Sequence, residues 1–340
     1  IVVNIGLNVF WIGYCIPAYN AGESNFILDT FYSPNIGIGY VFIANLFATI
    51  VKFLMVSPYF LKINFSFNTA ILKNMLVYGG PLLIASIAII INETSDKILL
   101  KWLLLEDMSL FDAKAQVGIY GGVYKLSIII SLFIQAFRYA AEPFFFSQEK
   151  EKDSRETYAL IMKYFVIVCS IIFLVVMLYL DQLKRFVNNE AYWEGLHIVP
   201  ILLFANIFLG IFYNLSVWYK LNGKTKYGAM IAVIGAIITI VLNLILISKI
   251  GYTGSAWATL ACYATMAVIS YLLGQKHYKI KYSLKSIFFY LGVALIFYWS
   301  STLLNLEAES IFKFTINSLI LLVFLGLIFF LEKPKKALIS

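Results

Sequence analysis

Runs of about twenty apolar residues recur along this chain, and that repetition limits what it can fold into more than any other feature. They fall at 1–17, 37–60, 75–92 with a continuation to 104, 115–140, 156–180, 197–219, 228–248, 252–274, 286–304 and 311–332. As helices, such runs cross a hydrocarbon core about 30 Å thick. Lipid offers the backbone no hydrogen-bond partners, so each crossing segment must satisfy its own N–H and C=O groups. Composition agrees: 61% of the residues are hydrophobic and only 13% charged, against roughly 45–50% apolar residues in soluble domains. One water-exposed fold of 340 residues could not hide that much apolar surface. The expected fold class is all-α integral membrane, with about ten transmembrane helices.

The connections are too short to hold a folded extramembrane domain. A membrane-embedded glycosyltransferase or polymerase would carry a sizeable loop with catalytic carboxylates, so no enzyme and no catalytic residue is expected. Cys15, Cys169 and Cys262 each sit inside an apolar run, which argues for buried side chains rather than disulfides or metal ligands. His197 and His277 lie far apart without carboxylates or cysteines at ligand spacing. No metal, cofactor or nucleic-acid partner is expected. The first apolar run begins at Ile1 with no preceding Met or basic leader, from which an N-terminally truncated chain is expected.

Lys and Arg residues divide unevenly between alternate connections. One set holds Lys62, Lys73, Arg138, Lys150, Lys152, Arg155, Lys220, Lys224, Lys226, Lys276, Lys279, Lys281, Lys285, Lys333, Lys335 and Lys336; the other holds only Lys97, Lys101, Lys114, Lys184, Arg185 and Lys249. Basic residues beside spans stay on the cytoplasmic side. That places the first set, and the C-terminus, in the cytoplasm.

Polar side chains inside spans are the candidate functional groups, because a charge within the bilayer must face protein or water. Asn92, Glu93, Asp96 and Lys97 end the third run at i,i+3 and i,i+4 spacings. They form either a polar cavity wall or coupling-ion site, or a structural ion-pair cluster at the rim. Earlier in that run, Gly79, Gly80 and Pro81 predict a kink that can serve as a hinge. In the next run Lys125 and Arg138 are thirteen residues apart, or about 20 Å and roughly 140° on a straight helix. Glu142 stands four residues after Arg138 as an i,i+4 partner, and Pro143 is expected to stop the helix. For Lys125 the competing role is a partner to Glu93 or Asp96. Between the runs 228–248 and 252–274, Gly251 and Gly254 mark a tight joint, with small residues at helical spacing on both sides.

The stretches YGGPLLIASIAIIINETSDKILLKWLL, QAFRYAAEPFFF and WYKLNGKTKYGAMIAVIGAIITIVLNLILISKIGYTGSAWATL resemble the Wzx-type polysaccharide flippases of the multidrug/oligosaccharidyl-lipid/polysaccharide exporter superfamily. The resemblance implies the last ten helices of a fourteen-helix, two-lobe transporter. Residues 1–60 would close the first lobe, 61–74 would be a cytoplasmic linker, 75–274 the second six-helix lobe and 286–332 a terminal pair. It further implies flipping of an undecaprenyl-pyrophosphate-linked oligosaccharide across the bacterial cytoplasmic membrane by alternating access, for surface polysaccharide biosynthesis. The partners would be that lipid-linked oligosaccharide, the bilayer and a coupling ion, H+ or Na+. Lys125, Arg138, Glu93, Asp96, Lys97, Asn92 and Glu142 would be the substrate-binding residues, since Arg and Lys bind phosphate oxygens by charge-assisted hydrogen bonds. The rival on the same architecture is an ion-coupled exporter of organic cations, which would use Glu93 and Asp96 with aromatic walls.

Overall fold

The computed structural model describes residues 1–60, 62, 67–105, 108–149, 151, 153–187, 189–304 and 310–333. Lys150, Lys152, Lys335, Lys336 and, of the linker expected over 61–74, residues 61 and 63–66 lie outside the described residues. Among the described residues there is no strand, and ten helical segments are long and apolar enough to cross a membrane. We number them α1 (Val2–Asn20), α2 (Gly37–Phe60), α3 (Thr69–Leu104), α4 (Leu110–Ser147), α5 (Ser154–Leu178), α6 (Glu190–Leu221), α7 (Thr225–Ile250), α8 (Tyr252–His277), α9 (Leu284–Leu303) and α10 (Ile311–Leu331). The chain is a multi-pass membrane protein.

Residues Ile1–Thr69 form one compact unit and Ala70–Ser340 another. In the first, α1 carries a π-helical stretch over Val9–Cys15 and packs on α2 through Trp11, Cys15, Ala18, Tyr40 and Ala44. The Trp11 ring stacks on Tyr40 at 5.0 Å, and its indole N–H donates to the Phe31 carbonyl at 3.1 Å.

The second unit is built around α6, which packs against α4, α5 and α8. That position explains its composition: α6 has no charged residue between His197 and Lys220, and most of it is buried. Helices α7 and α8 form the tightest pair. Gly251 turns the joint at φ +58, a conformation in which a Cβ would be strained. A Cβ on Gly254 would lie 2.5 Å from the Leu246 carbonyl carbon and oxygen, so the backbones can approach only because that Cβ is absent. The terminal helices α9 and α10 both pack on α5. Bulky exposed side chains such as Leu272, Leu322 and Phe329 face outward, where lipid accepts them.

Two helices run longer than their apolar runs. Helix α3 has 36 residues and α4 has 38, about 54–57 Å at 1.5 Å per residue, so both reach well past the hydrocarbon. Helix α3 begins at Thr69 and is a single continuous helix through Gly79, Gly80 and Pro81. Pro81 stands twelve positions inside it, where its missing N–H leaves the Val77 carbonyl without its helical partner. Helix α4 does not stop at Pro143, contrary to the sequence expectation, but continues to Ser147. The ring removes one hydrogen bond, and its fixed φ is itself helical; the turn is held by packing, with Phe145 buried edge-on against Tyr158 at 5.2 Å.

Candidate functional site

Helix α3 makes fewer close backbone approaches than the other spans of its unit and is fastened by side chains instead. At one end the Thr225 hydroxyl donates to the Tyr78 carbonyl at 2.9 Å. Toward the other end the Asp96 carboxylate accepts from the Tyr120 hydroxyl at 2.6 Å. Standing off in this way, α3 leaves a cavity of about 440 Å³ against α4 and α6.

Glu93 and Ser86 of α3, Tyr124, Ser131 and Arg138 of α4, and Asn206 and Tyr213 of α6 line that cavity. The lining residues of α4 recur at three- and four-residue steps, which is one face of a helix. Arg138 lies over the Tyr213 ring at 4.9 Å, a cation–π contact that orients the guanidinium without neutralising it. The Ser131 hydroxyl donates to Asn206 Oδ1 at 3.0 Å, and Asn206 donates onward to the Leu202 carbonyl at 2.8 Å. Among the described residues neither Glu93 nor Arg138 is in an ion pair. Both charges therefore face the cavity with their hydrogen-bonding capacity to spare.

The four polar residues ending the α3 apolar stretch divide between two directions rather than forming one ion-pair face. Glu93 faces the cavity, and Lys97 lies 4.4 Å over the Tyr124 ring at its edge. Asn92 and Asp96, one turn apart, are each only 1% exposed and turn into the protein. Asn92 Nδ2 approaches the Met266 sulfur at 3.7 Å, while its Oδ1 has no hydrogen-bond partner.

Between α7 and α8 the unit buries a polar cluster. Ser255 donates to Asn243 Oδ1 at 2.8 Å, Asn243 donates to the Thr239 carbonyl at 2.8 Å, and Thr259 donates to the Ser255 carbonyl at 2.9 Å. Asn92 Nδ2 lies 3.2 Å from where a Cβ on Gly235 would stand. Helices α3 and α7 run in the same direction, so one turn further along each brings Asp96 level with Thr239. The Ser95 and Thr239 hydroxyl oxygens, like Asn92 Oδ1, are buried without a partner. Buried oxygens without a partner are unusual in a protein interior, where such groups are nearly always bonded.

The other residues singled out from sequence lie elsewhere. Lys125 is exposed and does not line the cavity; on the α4 helix it precedes Leu132 by two turns and sits at the margin of the cavity face. It is in no ion pair with Glu93 or Asp96. Glu142 does not pair with Arg138, as its i,i+4 spacing suggests, but with Lys220 at the end of α6. Arg138 is drawn instead toward Tyr213, which no spacing within α4 reveals. Gly79 and Gly80 have open space where a Cβ would stand. Sequence reasoning passed over Tyr124, Ser131, Asn206, Tyr213, Thr239 and Asn243. For Asn206 and Asn243 there was a signal, an amide within an apolar run.

Among the described residues no three of His, Cys, Asp and Glu gather as metal ligands, and the three cysteines are buried and free. Among pH-sensitive groups beyond the spans, burial alone would raise the Glu332 carboxyl. The Lys163 and Tyr290 hydrogen bonds, with the Lys163 charge, outweigh it and hold that carboxyl below its ordinary 4.5.

Comparison with known proteins bears on what such a cavity serves. Residues 30–149 match the model of a family described as polysaccharide biosynthesis protein. No curated protein sequence gives a match. Among solved structures, the lipid II flippase MurJ in an inward closed conformation superposes with a TM-score of 0.63 at 17% identity, over 89% of this chain. The chain spans 64% of the length of that flippase. The chain thus carries a polysaccharide biosynthesis pattern over residues 30–149 and shares its fold with that flippase over most of its length.

Proposed function

We propose that the chain is a transporter rather than an enzyme, and that it flips a lipid-linked oligosaccharide, carried on undecaprenyl pyrophosphate, across the bacterial cytoplasmic membrane by alternating access. The carrying observation is an unpaired guanidinium in a polar intramembrane cavity: Arg138 over Tyr213, beside Ser131 and Asn206. A diphosphate needs such a donor array. The hydroxyl, amide and tyrosine rings around it suit the first sugars, while the polyprenyl chain stays in lipid. Lys125, at the margin of the same helix face and further from the cytoplasmic end, meets the anionic head after it leaves Arg138 on the outward path. Lys97 and Glu93 form the far wall. Glu142, engaged with Lys220, closes the basic end of the cavity, and the Gly79–Gly80–Pro81 segment supplies the flexure of α3. The fold and the polysaccharide biosynthesis match support this reading.

The coupling ion is a monovalent cation at the buried cluster. Asp96 supplies the charge, and Asn92 Oδ1, Ser95 Oγ and Thr239 Oγ1 supply neutral oxygens that have no other partner. Hard cations take such oxygen sets. Because Asn92, Asp96 and Glu93 share α3, occupancy of the cluster and loading of the cavity act on the same helix.

An organic-cation exporter would use Glu93 with the rings of Tyr124 and Tyr213. Arg138 in the same cavity opposes it, since like charges at close range in a poorly solvated space repel by several kcal/mol.

The test is complementation of a flippase-null strain by the full-length protein. Arg138→Ala and Lys125→Ala should each abolish surface polysaccharide with unchanged membrane abundance and unchanged drug tolerance. Normal polysaccharide in both variants rejects the flippase reading. Loss of ion-dependent drug efflux in Glu93→Gln, with polysaccharide intact, would establish the exporter instead.

A further inference from the structure

A second cavity, of about 600 Å³, opens at the end of the unit where α5 begins, α8 ends and α9 begins. Six ionic side chains line it: Asp153, Arg155 and Glu156 at the start of α5, Lys163 two turns further on, and Lys279 and Lys281 from the connection between α8 and α9. Only Lys163 is neutralised, by Glu332 at 2.5 Å, which also accepts from the Tyr290 hydroxyl at 2.8 Å. The other five are in no ion pair among the described residues. Arg155 is held over the Tyr278 ring at 4.5 Å. The connection itself alternates, with Ile280 only 1% exposed while Lys279 and Lys281 remain exposed. Both lysines line the cavity while the Ile280 side chain between them is buried, so the two lysines share a side.

Free charges of both signs around one cavity select for a ligand that carries both. A simple anion would meet Asp153 and Glu156, and a simple cation would meet Arg155, Lys279 and Lys281. The cavity also lies at the end of apolar spans, at the depth of lipid headgroups. From its rim Leu160, Tyr164 and Val168 run along α5 at four-residue steps, exposed by 49%, 43% and 36%, which is one lipid-facing stripe. A quaternary ammonium favours an aromatic cage, and no aromatic residue lines this cavity. A primary ammonium instead donates hydrogen bonds to carboxylates.

We propose that this cavity binds the headgroup of a zwitterionic aminophospholipid of the phosphatidylethanolamine type. Its phosphate lies on Arg155, Lys279 and Lys281, its ammonium on Asp153 and Glu156, and one acyl chain follows Leu160, Tyr164 and Val168. The site is separate from the transport cavity and does not depend on what is transported.

The test uses the full chain purified in detergent, with phosphatidylethanolamine, phosphatidylcholine and phosphatidylglycerol titrated in turn and bound lipid read by native mass spectrometry. Phosphatidylethanolamine should bind about tenfold or more tightly than either rival, as expected when one charge-assisted contact is gained. The paired variants Lys279→Ala with Lys281→Ala, and Asp153→Asn with Glu156→Gln, should each bring it down to the level of phosphatidylcholine. Soluble phosphoethanolamine should compete only weakly, because it lacks the chain on α5; competition as strong as that of the lipid would mean a site for a free phosphate compound and overturn the lipid assignment. Preference for phosphatidylglycerol, or equal binding of all three lipids, overturns the proposal on the unmodified protein alone, whether or not the variants fold.

Discussion

Removing the Tyr120 hydroxyl is the sharpest probe of the buried cluster. The ring is fully buried and Asp96 is 1% exposed, so Tyr120→Phe keeps the shape while removing the donor at 2.6 Å. A hydrogen bond to a charged group contributes about 1.5–3 kcal/mol, and a neutral one about 0.5–1.5 kcal/mol. No solvent can replace the lost donor at this depth, so the larger range applies to the native carboxylate. Tyr120→Phe should therefore destabilise by about 1.5–3 kcal/mol with Asp96 present, and by about 0.5–1.5 kcal/mol in the Asp96→Asn background. The difference is the coupling between the two groups, measured by thermal unfolding in one fixed detergent across the four-member cycle. Equal losses from Tyr120→Phe in both backgrounds would mean that the hydroxyl does not hold an ionised Asp96, and the charge at the centre of the proposed cation site would have to be abandoned.

Other consequences are simpler to check. Gly254→Ala would put a methyl 2.5 Å from the Leu246 carbonyl and should lower stability by about 1–3 kcal/mol, whereas Gly292→Ala, with nothing within 4 Å, should raise it by about 0.5–1 kcal/mol; thermal melts of the two variants give the comparison. Because the Glu332 carboxyl is held below 4.5, its contact with Lys163 contributes fully above that pH and is lost as pH falls through the lowered value. A fluorescence distance between the end of α10 and the start of α5 should lengthen in acid, and Lys163→Gln should remove that pH dependence. Cysteines at Lys125 and Asn243, introduced one at a time into a chain with its own three cysteines replaced, should differ sharply in labelling by a water-soluble maleimide. The first lies on an exposed face and the second is fully buried; equal labelling would contradict the packing of α7 on α8. Arg138→Lys should retain charge but lose the planar contact with Tyr213, leaving polysaccharide export reduced rather than abolished in the complementation assay.

The amino-acid sequence by itself determined the number and approximate position of the spans, because lipid forces every crossing segment to be a helix; it did not determine how far α3 and α4 run beyond their apolar stretches. It also determined the α7–α8 joint, since Gly251 and Gly254 stand where no side chain fits. It located the polar residues of α3 and α4, because ionisable groups are conspicuous among leucines and isoleucines. Their partners were decided elsewhere. Local spacing assigned Glu142 to Arg138, but Lys220, 78 residues later, is the nearer cation once α4 and α6 pack together. The division of Asn92 and Asp96 from Glu93 and Lys97 likewise depends on which helices lie on either side of α3. Pro143 reads as a stop only while its surroundings are unknown; packing of Phe145 on Tyr158 carries the helix past it. Periodicity is written into each segment, whereas the environment of a polar group is made by residues distant in the chain, and only the tertiary structure brings those together.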